Sequence, residues 1–266
     1  MAALTQATGL EIFDRIVCGV DGSSESLEAA RQAERLRSPD GTLEVAAVAD
    51  VDVAVHAGWA MGSVLQELDS AARHALHRAV DEVSPSRIDL LAGGIIPCLL
   101  DKVERTNGTL LAVGPRGQSR ATGMLLGGVA TELLHRARCS VLFAREPHFG
   151  PFPSSMLVGV DGSPESIAAA AVAGAIADRF GAELLLIAAI GGKSIELTAI
   201  RQLSRSLVTD PGHPVEALSE LSHEADLLVV GSRGLHGPKA LGSVSERVAH
   251  RASCSVLVVR QPKEES

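Results

Sequence analysis

One stretch of this sequence occurs twice, and that duplication limits the fold more than any other feature. Ile16–Val17–Cys18–Gly19–Val20–Asp21–Gly22–Ser23 returns as Met156–Leu157–Val158–Gly159–Val160–Asp161–Gly162–Ser163, and Glu25 and Ser26 then match Glu165 and Ser166. Further on, LLAVGPRG from Leu110 to Gly117 pairs with LLVVGSRG from Leu227 to Gly234. HRARCSVL from His135 pairs in turn with HRASCSVL from His250. Blocks that recur in the same order mark a duplicated unit. Between the copies, EPHFGPFPSS (146–155) carries three prolines and a glycine and reads as a linker. The expected division is a first domain at 10–146, a linker at 147–153 and a second domain at 154–261.

Each copy alternates strand and helix patterns. In the first, apolar runs rich in branched residues predict strands at Ile12–Val20, Leu43–Ala49, Ile88–Leu91, Leu110–Val113 and Val141–Ala144. Helices are expected at Ser24–Arg37, Met61–Val83, Pro97–Arg105 and Gly128–Ala137; the second copy has a shorter second helix near Ser194–Leu203. Such alternation calls for a parallel sheet covered by helices on both faces. The strands lack an inside–outside alternation, which agrees with burial on both sides. The expected fold is α/β: two tandem doubly wound, Rossmann-like domains, each with a five-stranded parallel sheet.

Composition removes several functions. A net charge of −8 argues against general affinity for nucleic acid, and 2% aromatics with no tyrosine argues against a stacking platform. No apolar run reaches the ~18–20 residues of a membrane span, and Met1–Gly9 does not read as a secretory signal, so a cytoplasmic location is expected. Cys18, Cys98, Cys139 and Cys254 lack metal or redox spacing and are expected to be buried, reduced thiols.

Open parallel sheets bind ligands beyond the carboxyl ends of their strands, where the strand order reverses. Two motifs of each copy fall at such ends. One is Asp-Gly-Ser after the first strand (Asp21 and Gly22; Asp161 and Gly162). The other is a glycine-rich loop after the fourth. In the first copy, Gly114–Pro115–Arg116–Gly117 is followed nine residues later by Gly127–Gly128. In the second, Gly231–Ser232–Arg233–Gly234 is followed seven residues later by Gly242–Ser243. Glycines let backbone amides approach phosphate oxygens, and the amides of a helix N-terminus attract anions.

At these residues the sequence resembles the universal stress protein family in its tandem two-domain form. ATP-binding members carry Gly-two-Gly-nine-Gly-Ser/Thr in this loop, after a first strand ending in Asp. The resemblance implies an adenine nucleotide hydrolase-like fold and a cofactor that is ATP, or AMP or ADP, with Mg on the phosphates. By matching position, Asp21 and Asp161 would face adenine or ribose, and Val48 and Ile190 would line the base pocket. Gly114, Gly117, Gly127 and Gly128, with Gly231, Gly234, Gly242 and Ser243, would surround ribose and phosphates. Val129 and Ala130, or Val244 and Ser245, extend the helix opening. Arg116 and Arg233 recur where a phosphate or interdomain role is expected. The first copy lacks a hydroxyl at Gly128, and Pro115 removes an amide; the second keeps Ser243 in a loop two residues shorter. The second is expected to bind better. The family also implies pairing of the last strands, Val141–Ala144 with Val256–Val259, as an intramolecular pseudo-dimer open to further homodimerisation.

Other readings stand beside these. Asp21 and Asp161 fit simple turn residues, with Ser23 and Ser163 as helix caps and Pro164 at the first helical position. The arginines fit a solvated surface. His135 and His250 fit charge–dipole contacts at helix ends. Neither a catalytic set nor a metal cluster emerges. The expected function is a nucleotide-dependent regulator of the stress response, with an unknown protein partner. The alternatives are a slow ATPase and an interaction protein that binds no nucleotide.

Overall fold

A computed structural model of the chain describes residues 13–52, 61–117, 125–148, 150–189, 206–210, 212–232 and 244–261. The first repeat runs β1 (Arg15–Gly19), α1 (Ser24–Leu36), β2 (Thr42–Asp50), α2 (Met61–Glu82), β3 (Arg87–Gly93), α3 (Ile95–Thr106), β4 (Leu110–Val113), α4 (Gly128–Arg136) and β5 (Ser140–Phe143). The second runs β6 (Ser155–Gly159), α5 (Pro164–Phe180), β7 (Glu183–Ala189), β8 (Leu207–Asp210), α6 (Pro214–Leu221), β9 (Leu227–Gly231), α7 (Val244–Arg251) and β10 (Ser255–Val259). The helix expected near 194–203 lies outside the described residues. Helix α3 begins two residues before Pro97, because the amide that proline lacks has no intrahelical acceptor in a first turn.

The ten strands form one sheet in the order β3-β2-β1-β4-β5-β10-β9-β6-β7-β8. Within each repeat the pairing is parallel, and the order reverses between the first and fourth strands. The halves meet where β5 and β10 pair antiparallel, with Val256 opposite Phe143, Leu257 opposite Leu142 and Val258 opposite Val141. This junction covers two strands that would otherwise be open sheet edges.

Neighbouring residues on each strand serve opposite faces, as the period of two requires. Ile16 and Cys18 pack with Leu27 and Ala30 of α1 and Ala75 and Ala79 of α2. Val17 packs on the other face with Leu99 and Val103 of α3 and Leu133 of α4. The second repeat divides likewise, Met156 and Val158 toward α5 and Leu157 toward α6 and α7. Both layers run unbroken through the β5–β10 junction. Cys18, Cys139 and Cys254 are buried free thiols, whereas Cys98 is only half-buried, because it sits in the first turn of α3 at the sheet's edge.

Polar contacts reinforce the junction in matched pairs. The amide of Arg145 donates to Ser255 Oγ (2.9 Å), and that of Arg260 donates to Ser140 Oγ (3.1 Å). Each guanidinium then reaches the closing helix of the other repeat, Arg145 donating to Ala249 O (2.9 Å) and Arg260 to Leu134 O. These carbonyls belong to helix ends that lack further intrahelical donors. Burial pushes the Arg145 guanidinium down to about 10, still charged at neutral pH.

Asp226, fully buried ahead of β9, fastens the linker. Its Oδ1 accepts the His148 amide (3.1 Å), while Oδ2 accepts the amides of Ser154 (3.1 Å) and Ser155 (3.2 Å) and the Ser154 hydroxyl. A buried carboxylate is tolerable only with donors of this kind around it.

Candidate functional site

The order reversal places the ends of β1 and β4 side by side, and the turns leaving them diverge to opposite faces. After β1 the chain enters the Asp-Gly-Ser turn. Gly22 takes a φ of 83°, and its counterpart Gly162 takes 82°, a left-handed conformation that favours glycine. Asp21 Oδ1 accepts both the Ser23 amide (2.9 Å) and the Ser23 hydroxyl (2.6 Å), and the Asp21 amide donates to Ser26 Oγ (3.3 Å). Ser23 Oγ in turn caps α1 by accepting the Ser26 amide (3.2 Å). The second repeat copies this network: Ser163 donates to Asp161 Oδ1 from its amide (3.1 Å) and hydroxyl (2.5 Å). The aspartates therefore brace turns and caps in both repeats, a role compatible with facing a ligand as well. In the first repeat, Arg78 of α2 also donates to the Gly22 carbonyl.

After β4 the loop turns back across the mouth. A Cβ on Gly114 would stand 3.0 Å from backbone and side-chain atoms of Glu25 and from the Ser26 amide; one on Gly231 would lie 2.4 Å from the Glu165 carbonyl oxygen. These two glycines are therefore required by the close approach of the loop to the first helix, whatever else they contact. A Cβ on Gly117 would lie 2.7 Å from Asp21 Oδ2. The amide of Gly127 is occupied by the Pro115 carbonyl (2.8 Å), which folds the loop's two ends together. Gly127 is then the N-cap of α4 and supplies no side-chain acceptor. By contrast, α1 and α5 begin on serine caps. The first-turn amides of Gly128, Val129 and Ala130 have no intrahelical acceptor in an α-helix.

These parts enclose a cavity of about 300 Å³ at the sheet's carboxyl end. Its apolar wall comes from Val20, Ala46, Val48, Ile95, Leu99 and Val113. Asp21, Ser26 and Arg116 supply the polar groups. Gly114, Gly117, Gly127 and Gly128, with Val129 and Ala130, form the remaining side. The structure thus brings together Asp21, Val48, Gly114, Arg116, Gly117, Gly127, Gly128 and Val129; Gly22 turns the chain just outside the lining. Arg116 stands 3.6 Å from Glu25 in an ion pair at the rim. The volume is at the lower end of the range for small-molecule sites.

In the second repeat, Asp161 and Gly162 occupy the equivalent turn, Gly231 ends β9, and Val244 and Ser245 open α7. Ile190, Arg233, Gly234, Gly242 and Ser243 lie outside the described residues. Sequence reading missed Gly19, Val20, Ser26, Ala46, Ile95, Leu99 and Val113 as pocket residues. Ser26 was open to discovery, since it recurs as Ser166 in the second copy. Ile95 and Leu99 point in from a helix whose register against the sheet carries no motif.

A family model described as the Universal stress protein family matches residues 12–145 and 192–260. A universal stress protein of Mycolicibacterium smegmatis is 31% identical, the match covering 92% of this chain and 96% of that one. Universal stress protein Rv2623 of Mycobacterium tuberculosis is 28% identical with the same coverage. Among solved structures, a universal stress protein from Archaeoglobus fulgidus superposes with a TM-score of 0.71 over 96% of this chain and 99% of its own, at 20% identity. With the family model spanning most of both repeats and the relatives matched nearly end to end, this chain belongs to the universal stress protein family, in its tandem two-domain form.

Proposed function

We propose that the mouth of the first repeat binds an adenine nucleotide (ATP, AMP or ADP) and that occupancy regulates the chain's affinity for a protein partner in a cytoplasmic stress response. One observation carries the reading: a single cavity at the switch point joins an apolar wall to a helix start without a side-chain cap. A flat base suits Val48, Ile95 and Leu99, whereas an anionic tail suits the amides of Gly128, Val129 and Ala130. Asp21, a polar group of the lining, suits the hydroxyls of a ribose. Mg would be carried on the phosphates; the described residues contain no group of three or more His, Cys, Asp or Glu side chains placed to hold a metal.

Regulation is favoured over turnover because the carboxylate at the mouth, Asp21, has Oδ1 committed to Ser23. A ligand shifts a conformational balance only by binding one state better, and the continuous sheet through β5 and β10 joins the two repeats. A reading without nucleotide draws on the Gly127 amide already being satisfied by Pro115. Mass spectrometry of small molecules released by denaturing the purified full chain decides between them. Co-purified adenine nucleotide, or micromolar uptake of added ATP or AMP, is expected. Clean protein that takes up neither at millimolar concentration would leave the interaction-protein reading.

A further inference from the structure

We propose that His250, a residue of the second repeat, is a positioning residue of the first repeat's loop, latching it through the Leu126 amide. The inference deepens the nucleotide reading above and rests on it for its effect on affinity. His250 lies in the last turn of α7, and its Nδ1 accepts the Leu126 amide at 3.2 Å across the junction. Leu126 is buried and immediately precedes Gly127, the N-cap of α4. Consecutive amides are thus tied to different repeats, Leu126 to His250 and Gly127 to Pro115. The next residues, Gly128, Val129 and Ala130, line the cavity. A shift of the Leu126 peptide re-aims them directly, so the pocket's shape depends on a side chain from the other half of the chain.

The bond requires a lone pair on Nδ1, which neutral imidazole with its proton on Nε2 provides and imidazolium does not. Burial is the main influence holding the His250 ring below its ordinary value. Arg145, at the end of β5, and His135, on α4, also oppose a proton there, and Glu246, one turn earlier on α7, favours one. His135 is itself within 3.2 Å of Glu246, so the same carboxylate serves both rings. The latch is therefore closed at neutral pH and opens on acidification below the ordinary histidine range.

The test uses the full chain and two variants. His250→Phe keeps the bulk but removes the acceptor, and His250→Asn places an oxygen near the Nδ1 position without titrating. At pH 7.5, H250F is expected to bind ATP about 3- to 10-fold more weakly, the loss of one hydrogen bond, with H250N within about twofold of the parent. As pH is lowered from about 7.5 to about 4.5, through and below the ordinary histidine range, the parent should lose more affinity than H250N, a comparison that cancels phosphate titration. Amide exchange at Leu126 in the ligand-free chain provides the readout independent of nucleotide. Its protection factor should fall on acidification in the parent and stay level in H250N. Leu126 protection that ignores pH, or H250F binding ATP like the parent, overturns the latch. If the parent takes up no ATP, the nucleotide reading fails, and Leu126 protection alone decides whether the latch exists.

Discussion

Gly128 is the position where one added hydroxymethyl group should strengthen the pocket. It is the first residue of α4 and lines the cavity, and a Cβ placed on it meets nothing within 4 Å. A serine Cβ therefore fits without displacement, and leaving glycine for a better helix former adds a few tenths of a kcal/mol of stability. A hydroxyl bond to a charged phosphate contributes about 1.5–3 kcal/mol. Fixing the serine side chain costs about 0.5–1 kcal/mol of that. The net, about 1–2 kcal/mol, corresponds to roughly 5- to 30-fold tighter ATP binding for Gly128→Ser. Calorimetric titration should compare the two chains in a Ser243→Ala background, which quiets the second loop. Melting without ligand supplies the control for folding. An unchanged or weakened affinity, with the melting temperature of the free chain held or raised, would refute the placement of phosphate at this helix start.

The two packing glycines should separate in stability: Gly231→Ala is expected to lose about 2–3 kcal/mol and Gly114→Ala about 1–2, since the added methyl meets backbone at 2.4 Å in one and at 3.0 Å in the other. Denaturant unfolding measures both, and losses below about 0.5 kcal/mol would contradict the close approach. Asp226→Asn keeps one acceptor but turns an NH2 toward donors, so a loss of about 2–4 kcal/mol and a melting point several degrees lower are expected; a neutral result would mean the linker is held by other groups. Acid sensitivity follows from His250. Its folded pKa lies below the ordinary 6.5, so its contribution is present above 6.5 and is lost as pH falls through 6.5 toward the folded value. The parent should lose stability relative to H250N over that interval, and a parallel pair of pH profiles would contradict this.

The duplication made the architecture legible, because a strand read once could be checked against its copy. The pocket's near side was legible for the same reason: Asp21, the glycines and Arg116 recur as words in the second repeat. What the words could not disclose was why each letter is there. Gly114 and Gly231 read as phosphate contacts, yet their missing Cβ atoms are explained by the approach to Glu25 and Glu165. Apart from the pairing of the last strands, side-chain contacts between repeats were illegible, since a pattern within one copy says nothing of what faces it from the other. His135 and His250 read as charges at helix ends, but His250 accepts an amide from the opposite repeat and so is neutral there. Arg145 and Arg260 occupy matching places after each last strand, and that repetition was the available signal for their reciprocal roles. Asp226 offered none. Its counterpart, Thr109, bonds within its own repeat to Arg15, and a carboxylate at that position has meaning only beside the linker.

In the proposed function, amides at the start of α4 hold the anionic end of a nucleotide whose base lies against β2 and α3. Backbone amide chemical shifts of the full chain, followed during titration with AMP, address this arrangement most directly. Saturable shifts are expected to concentrate at Gly117, Gly128, Val129 and Ala130, with smaller ones at Val48 and Ile95. Saturable binding that leaves those amides unmoved, or no change at millimolar AMP and ATP, would contradict it.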